Sequence, residues 1–386
     1  MPETLHYNKA IYGPEELEAV QRVLINEWLS GGAETQGFEK ELSEWWGVKH
    51  AVSVNSGSSA NFVAMQSLNL PKGSEVITPA GGAFPTTIAP MVYLGLKPVF
   101  VDIDLDTLCL NLDEVEQSIT PETSAIVFAH TLGFMPDMDR LMGIAKKHDL
   151  KVMEDCCDAM GSTQGKRAGT FGDIATVSFY PAHHITTGGE GGAVLTNSNG
   201  LFREAFSIRD WGRDCICQVG GKVPACGDRY RNPPFDHRYY YTRVGLNFKL
   251  TEMQAAFGRE QLKRADLFTT LRKRNYKILA DRFDRPVDEG ISPFAWPVLH
   301  KNKEQAMTFL ESQGIQTRTL FSGNILAHPA YKDIPHRVTG ALQNSNLLLE
   351  EGFFVGVGPH LSTENMRFIG DKLEEVLFEA SRGVQK

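Results

Sequence analysis

The feature that most restricts this chain is an alternation. Between about residues 50 and 197, seven short runs rich in β-branched and other apolar residues recur. They are Ala51–Val54, Glu75–Thr78, Pro98–Asp102, Ala125–Ala129, Lys151–Met153, Ala175–Phe179 and Ala193–Thr196. Segments with helical spacing, such as Met138–His148, separate several of them. None of the runs alternates cleanly between apolar and polar residues, so each reads as a strand buried on both faces. Strands alternating with helices predict a mostly parallel sheet covered on both sides. A helix over Pro14–Trp28, with proline near its first turn, opens the chain. One long helix is expected over Thr251–Thr270, then a basic stretch (Arg272–Lys277), a Pro-rich passage (Arg285–Pro297) and a short α+β pattern. The expected architecture is α/β: a large, mostly parallel sheet domain over residues 1–255 and a smaller α+β C-terminal domain over residues 256–386. A length of 386 residues accommodates two such cores.

Open parallel sheets bind ligands beyond the carboxyl ends of their strands, and the chemically informative residues fall there. Asn55-Ser-Gly-Ser-Ser follows the first run. A small-residue turn opening a helix offers backbone N–H groups to an anion; an ordinary helix cap has the same composition. Phe84 follows the second run. Asp155, after Glu154, closes another, where a carboxylate can pair with the protonated ring nitrogen of a pyridoxal-type cofactor or simply cap a turn. Ser178 ends a further run and begins a segment holding His183, His184 and a glycine run up to Gly192. There are six cysteines: Cys109, Cys156, Cys157, Cys215, Cys217 and Cys226. The N-terminus lacks a basic start followed by an apolar run, so the expected location is cytoplasmic. Metal or redox chemistry is then expected of the cysteines rather than disulfides. With 39 basic against 47 acidic residues and a net charge of −8, nucleic-acid binding is not expected. No uninterrupted apolar run of about 18 residues predicts a membrane span.

Together these segments resemble the DegT/DnrJ/EryC1/StrS family of fold-type I, vitamin-B6-dependent sugar aminotransferases, over nearly the whole chain. The resemblance rests on Trp28-Leu-Ser-Gly-Gly, on Asn55-Ser-Gly-Ser-Ser-Ala-Asn61 and on Glu154-Asp-Cys-Cys-Asp-Ala-Met-Gly-Ser162. It also rests on the glycine run and on Val244-Gly-Leu-Asn-Phe-Lys-Leu-Thr-Glu-Met-Gln254. It implies a PLP-dependent transferase-like fold and assigns roles by position. Gly57, Ser58, Ser59 and Ser178 cradle the cofactor phosphate. Phe84 stacks on the pyridine ring, and Asp155 meets its nitrogen. Asp158, where the aminotransferases usually carry Gln, contacts the ring hydroxyl. Asn247 reaches the phosphate held by a neighbouring subunit, which implies a homodimer. Arg318 lies where family members contact the sugar nucleotide, and Tyr180 stands near the substrate in a catalytic role.

One position departs from the aminotransferase pattern. The family's Schiff-base lysine stands five residues after the serine matching Ser178, and here that residue is His183. An imidazole cannot form the internal aldimine, and no lysine lies between Arg167 and Cys217 to replace it. Histidine can move protons near neutral pH. The expectation is pyridoxamine 5′-phosphate (or PLP) bound without a covalent link, with His183 as the acid/base and His184, one residue off, as the second choice. Within the family, such a histidine resembles the sugar 3-dehydrases, of which there are two kinds. One uses the cofactor alone, with glutamate returning the amine. The other carries a [2Fe–2S] cluster and takes electrons from an NAD(P)H-dependent flavin/iron–sulfur reductase. The order Cys157, then 57 residues, then Cys215-Ile-Cys217, then eight residues, then Cys226 resembles the second kind, one residue longer in the last gap. Four thiolates are what such a cluster needs. Tetrahedral zinc and unpaired thiols are the other readings of the same four cysteines, while Cys109 and Cys156 read as core residues. The sequence therefore reads as a [2Fe–2S]- and PMP-dependent 3-dehydrase of a nucleoside-diphosphate 4-keto-6-deoxyhexose. A cluster-free, glutamate-dependent dehydratase and a non-catalytic redox sensor on the same fold are its alternatives.

Overall fold

In a computed structural model, residues 4–82, 84–215, 217, 230 and 232–382 are described. All seven apolar runs are strands. The first five are β1 (His50–Val54), β2 (Glu75–Pro79), β3 (Lys97–Val101), β4 (Thr123–Ala129) and β5 (Lys151–Asp155). A short hairpin, β6 (Thr163–Gln164) and β7 (Lys166–Arg167), precedes β8 (Ile174–Ser178) and β9 (Gly192–Thr196). The C-terminal part contributes β10 (Ala295–Leu299), β11 (Thr317–Thr319), β12 (Arg337–Val338) and β13 (Gly352–Gly356). The large sheet has the order β1-β9-β8-β5-β4-β2-β3-β12.

The sheet is parallel except at β9, which runs antiparallel to both β1 and β8. The cause is local. Residues 179–191, between β8 and β9, form no helix. A parallel return needs a crossover, usually helical, whereas a direct return reverses the strand. That same connection carries His183.

Successive side chains of the central strands feed two separate cores, as the two-residue period of a strand requires. Ile77, Ile126, Val152 and Leu195 pack on one face with Phe38, Leu42 and Leu141. Val76, Val127, Met153 and Val194 pack on the other with Ala60, Val63 and Ala64. Both faces are covered by helices, which explains the absence of apolar–polar alternation in the sequence.

Two helices differ from expectation. The first ends at Ile25, not Trp28, and Glu27 takes a left-handed φ of 57°. The expected single helix over Thr251–Thr270 is two helices, Glu252–Leu262 and Ala265–Arg282. At the break, the Arg264 guanidinium turns to Glu16 Oε1 at 3.1 Å and the Ile11 carbonyl at 3.0 Å. Tertiary contacts to the opening helix thus override a continuous helical pattern.

The smaller sheet, β10-β13-β11, is antiparallel. Trp296, Leu310, Phe353, Val355 and Leu373 form its core. Leu5 bridges to Ile315, and β12 pairs with β3 at the edge of the large sheet. Among the described residues, no helix is long and apolar enough to cross a membrane.

Candidate active site

The carboxyl ends of β1, β2, β5 and β8 open into a cavity of about 640 Å³. Asp155, the last residue of β5, is only 4% exposed there. Its Oδ2 accepts hydrogen bonds from Asn61 Nδ2 and Thr87 Oγ1, each at 2.8 Å. Its Oδ1 accepts from the Cys157 N–H at 3.1 Å. Asn61 is itself fixed, since Thr176 Oγ1 donates to its Oδ1 at 2.6 Å. Among the described residues no cationic side chain forms an ion pair with Asp155. A buried carboxylate held by neutral donors and facing a cavity is suited to a cationic ring N–H.

The helix Gly57–Ser67 points its N-terminus at the same cavity. Ser56 caps it, accepting the Ser59 N–H at 3.1 Å. Gly57 is required by close approach: a Cβ there would lie 2.5 Å from the Cβ of Ser178. Gly57, Ser58 and Ser178 line the cavity, so backbone N–H groups and a hydroxyl converge as an anion site. Ser59 belongs to the cap instead. Its hydroxyl donates to Asn55 Oδ1 at 2.6 Å, and it does not line the cavity. Phe84, 55% exposed, forms the opposite wall beside Phe321.

His183 enters the cavity from the β8–β9 connection. Its backbone is held on both sides: its N–H donates to the Tyr180 carbonyl at 2.8 Å, and its carbonyl accepts from Arg272 at 3.3 Å and Asn8 at 3.4 Å. Asn8 also bonds the Ala182 carbonyl. Burial pushes the His183 imidazole down to about 4, against the pull of Asp155 and the Cys157 carbonyl. Burial pushes the Asp158 carboxyl up to about 7, against the Leu132 N–H. His184 is buried and turned to the Ser292 carbonyl at 3.2 Å, so the ring that lines the large cavity is that of His183.

Tyr180, 46% exposed, and Arg318 also line the cavity. The Arg318 guanidinium lies 4.7 Å from the ring centre of Tyr7. Asn247 is exposed, accepts the Lys249 N–H at 3.3 Å and does not line the cavity of its own chain.

The thiols divide. Cys157 lines the cofactor cavity, and burial with the neighbouring Asp155 holds its thiol well above the usual range. Cys215 and Cys217 come together, with ligand atoms within 4.8 Å of each other and of His237. The Cys217 N–H donates to Cys215 Sγ at 3.1 Å. Cys157 is not in that group, and Cys226 lies outside the described residues. The described residues therefore gather two of the four thiols a [2Fe–2S] cluster needs. Cys109 and Cys156 are fully buried core residues.

Sequence reasoning missed Asn61, Thr87 and Arg272. Asn61 stood inside the quoted turn motif, four residues after Gly57, where helical spacing brings it to the same face. Thr87 follows Phe84 by three residues for the same reason. Arg272 sat in a basic stretch that gave no sign of its complete burial.

A family model described as the DegT/DnrJ/EryC1/StrS aminotransferase family matches residues 11–374. The chain belongs to this family. It is 40% identical over 395 residues to the lipopolysaccharide biosynthesis protein RfbH of Salmonella typhimurium, covering 95% of this chain and 90% of that one. It is 38% identical over 406 residues to a dTDP-4-dehydro-2,6-dideoxy-D-glucose 3-dehydratase of Saccharopolyspora spinosa, covering 96% and 86%. A solved structure of GDP-4-keto-6-deoxymannose-3-dehydratase with a trapped PLP–glutamate geminal diamine superposes with a TM-score of 0.86 at 27% identity, over 95% of this chain and 99% of that one. The fold expected from the sequence, PLP-dependent transferase-like with a large mostly parallel sheet, is the fold observed.

Proposed function

We propose that this family member is a 3-dehydratase of a nucleoside-diphosphate 4-keto-6-deoxyhexose that holds pyridoxamine phosphate or PLP without a covalent link. The observation that carries the reading is an imidazole, His183, lining the same cavity as the buried Asp155, with which no cationic side chain forms an ion pair among the described residues. The cavity residues fit the cofactor: Asp155 for the ring nitrogen, Phe84 for the ring face, and Gly57, Ser58 and Ser178 for the phosphate. Asn247, exposed and turned out of its own cavity, is assigned to the phosphate of a second subunit in a homodimer.

When bound, the cofactor supplies an amine for the C4 ketone of the sugar and a ring that delocalises charge. His183, neutral at pH 7, accepts a proton from the adjoining carbon and stands ready to return one as the C3 hydroxyl departs. Tyr180 positions the sugar at the cavity mouth. Arg318, with its planar donors, takes the diphosphate. The setting is a cytoplasmic one, in deoxysugar biosynthesis.

Two versions of the reaction differ in how the product is released. The favoured version is cluster-free, with glutamate returning the amine, and the PLP–glutamate structure of a related dehydratase supports it. The [2Fe–2S] version, with an NAD(P)H-dependent reductase, is supported by the Cys215–Cys217 pair. It needs Cys157 and Cys226 beside that pair; among the described residues Cys157 is not grouped with it, and Cys226 lies outside the described residues.

The test is a panel of GDP-, CDP- and dTDP-4-keto-6-deoxyhexoses incubated with protein and cofactor, followed by mass spectrometry for loss of the C3 hydroxyl. Turnover sustained by glutamate, with less than about one iron per chain, supports the cluster-free version. About two iron and two sulfide per chain, with turnover only when a reductase is added, moves the assignment to the second version. No dehydration of any of these sugars removes the proposal.

A further inference from the structure

We propose that Asp158 is the positioning partner of His183, its carboxylate engaging Nδ1–H of the imidazole and leaving the other ring nitrogen as the proton acceptor. The inference rests on His183 being the base and deepens that reading. Its origin is a meeting of two largely buried titratable groups in one cavity. The two positions are 25 residues apart in sequence (183 − 158). In the folded chain, His183 Nδ1 lies 3.5 Å from Asp158 Oδ1.

The surroundings assign that carboxylate oxygen to the imidazole. Asp158 Oδ2 accepts the Leu132 N–H at 3.2 Å, which sets the plane of the carboxylate. Among the described residues, Oδ1 accepts no hydrogen bond. His183 Nδ1 is buried and likewise has no hydrogen-bond partner. The charged groups nearby are already committed, and the remaining rival for the imidazole proton is the Cys157 carbonyl. Asp155 is held by Asn61, Thr87 and the Cys157 N–H, and Arg272 donates to the carbonyls of His183 and Phe294. The His183 backbone is pinned by Arg272, Asn8 and Tyr180, so closing 3.5 Å to a hydrogen bond falls to rotation of the ring or of the carboxylate. A carboxylate fixes one imidazole tautomer and offsets the charge the ring gains on taking a proton, the arrangement general acid–base pairs use.

The rival role for Asp158 is a contact to the cofactor's ring hydroxyl, and three readouts separate the two. The first is made without cofactor. Carbethoxylation of His183 by diethyl pyrocarbonate at pH 8, mapped by mass spectrometry, is expected to slow at least about fivefold in Asp158→Asn, since a carboxylate on Nδ1–H makes the other nitrogen more nucleophilic. The second is binding of PLP by absorbance titration, expected to stay within about threefold of the parent. The third is a kinetic split: kcat falls about 100-fold with KM nearly unchanged, and Asp158→Glu recovers part of the loss. An unchanged His183 modification rate, or PLP binding weakened more than about tenfold while that rate holds, overturns the proposal and returns Asp158 to the cofactor. If His183→Asn retained full dehydration, the assignment of His183 as base would fail, while the modification experiment would still report whether the pair exists.

Discussion

The site at Asp155 and the thiol pair at Cys215 and Cys217 are built in different ways. Asp155 ends a central strand, and its three hydrogen-bond donors come from the helix starts after β1 and β2 and from its own next turn. Every one of those segments is positioned by the large sheet. Cys215 and Cys217 follow the helix Asn199–Arg209 and are joined by His237 from a short 3-10 turn, and none of the three belongs to a strand. The difference is one of leverage. A residue at a strand end inherits the register of the whole sheet, so its neighbours follow from sequence position. A residue in a long connection takes its neighbours from wherever the chain folds back.

The largest effect that sharpens this contrast is at His183. His183→Asn is expected to lower kcat for dehydration about 1,000-fold, the range of a lost general base, with PLP affinity close to that of the parent. His183→Lys restores the family's residue and is expected to trap PLP covalently, read as a cofactor that borohydride fixes to the chain. If neither change altered the chemistry, the strand-end site would be a scaffold without a base.

Asp155→Ala comes next. It removes the group for the ring nitrogen and leaves the Asn61 amide, the Thr87 hydroxyl and the Cys157 N–H without their acceptor. Each buried donor left unpaired costs about 1–3 kcal/mol. PLP binding is expected to weaken at least tenfold and the melting temperature to fall. Asp155→Asn separates the two consequences: its amide oxygen still accepts from Asn61 and Thr87 while its NH2 faces the Cys157 N–H, so stability returns in part while the charge, and with it cofactor affinity, does not.

The opposite expectation holds for the thiol pair. Cys215→Ser with Cys217→Ser is expected to leave PLP affinity within about threefold, because neither residue lines the cofactor cavity. In the cluster-free version turnover also survives. Loss of turnover together with loss of bound iron would tie the two regions into one site and favour the reductase-dependent version.

This contrast also accounts for what the sequence made legible. The seven strands, the turn at Gly57, Asp155 and Ser178 were readable because period and strand-end position are local signals, whereas His183, in the β8–β9 connection, came from the family resemblance. The reversed direction of β9 followed from a connection without a helix, which the glycine run obscured. Ser59 is expected in the phosphate cradle but does not line the cavity and bonds within the helix cap, since three serines within four residues do not reveal which hydroxyl turns inward. The break at Lys263 and Arg264, and the burial of Arg272 behind His183, depend on partners far away in the chain. The order of the cysteines gave their spacing but not their company: His237 beside Cys215 and Cys217 is a tertiary result.

The smallest effect tests how the sheet's own edge is secured, since leverage at the strand ends needs a fixed sheet. Arg337 on β12 donates to both carboxylate oxygens of Glu75 on β2, at 3.0 and 2.6 Å, and Lys97 adds a contact at 3.1 Å. Hydrogen bonding from Arg337 holds the Glu75 carboxyl at about 2, against the opposing effect of burial. A carboxylate held down in the folded state binds its proton more readily when unfolded. Its stabilising effect is therefore complete above the unfolded value near 4.5 and is lost as pH falls toward 2. In Glu75→Gln the stability difference from the parent is expected to be largest above about pH 5 and to shrink steadily between about pH 4.5 and 2, as read from urea midpoints. A difference independent of pH across that window would mean that packing of β12 against β3, and not the ion pair, secures the edge.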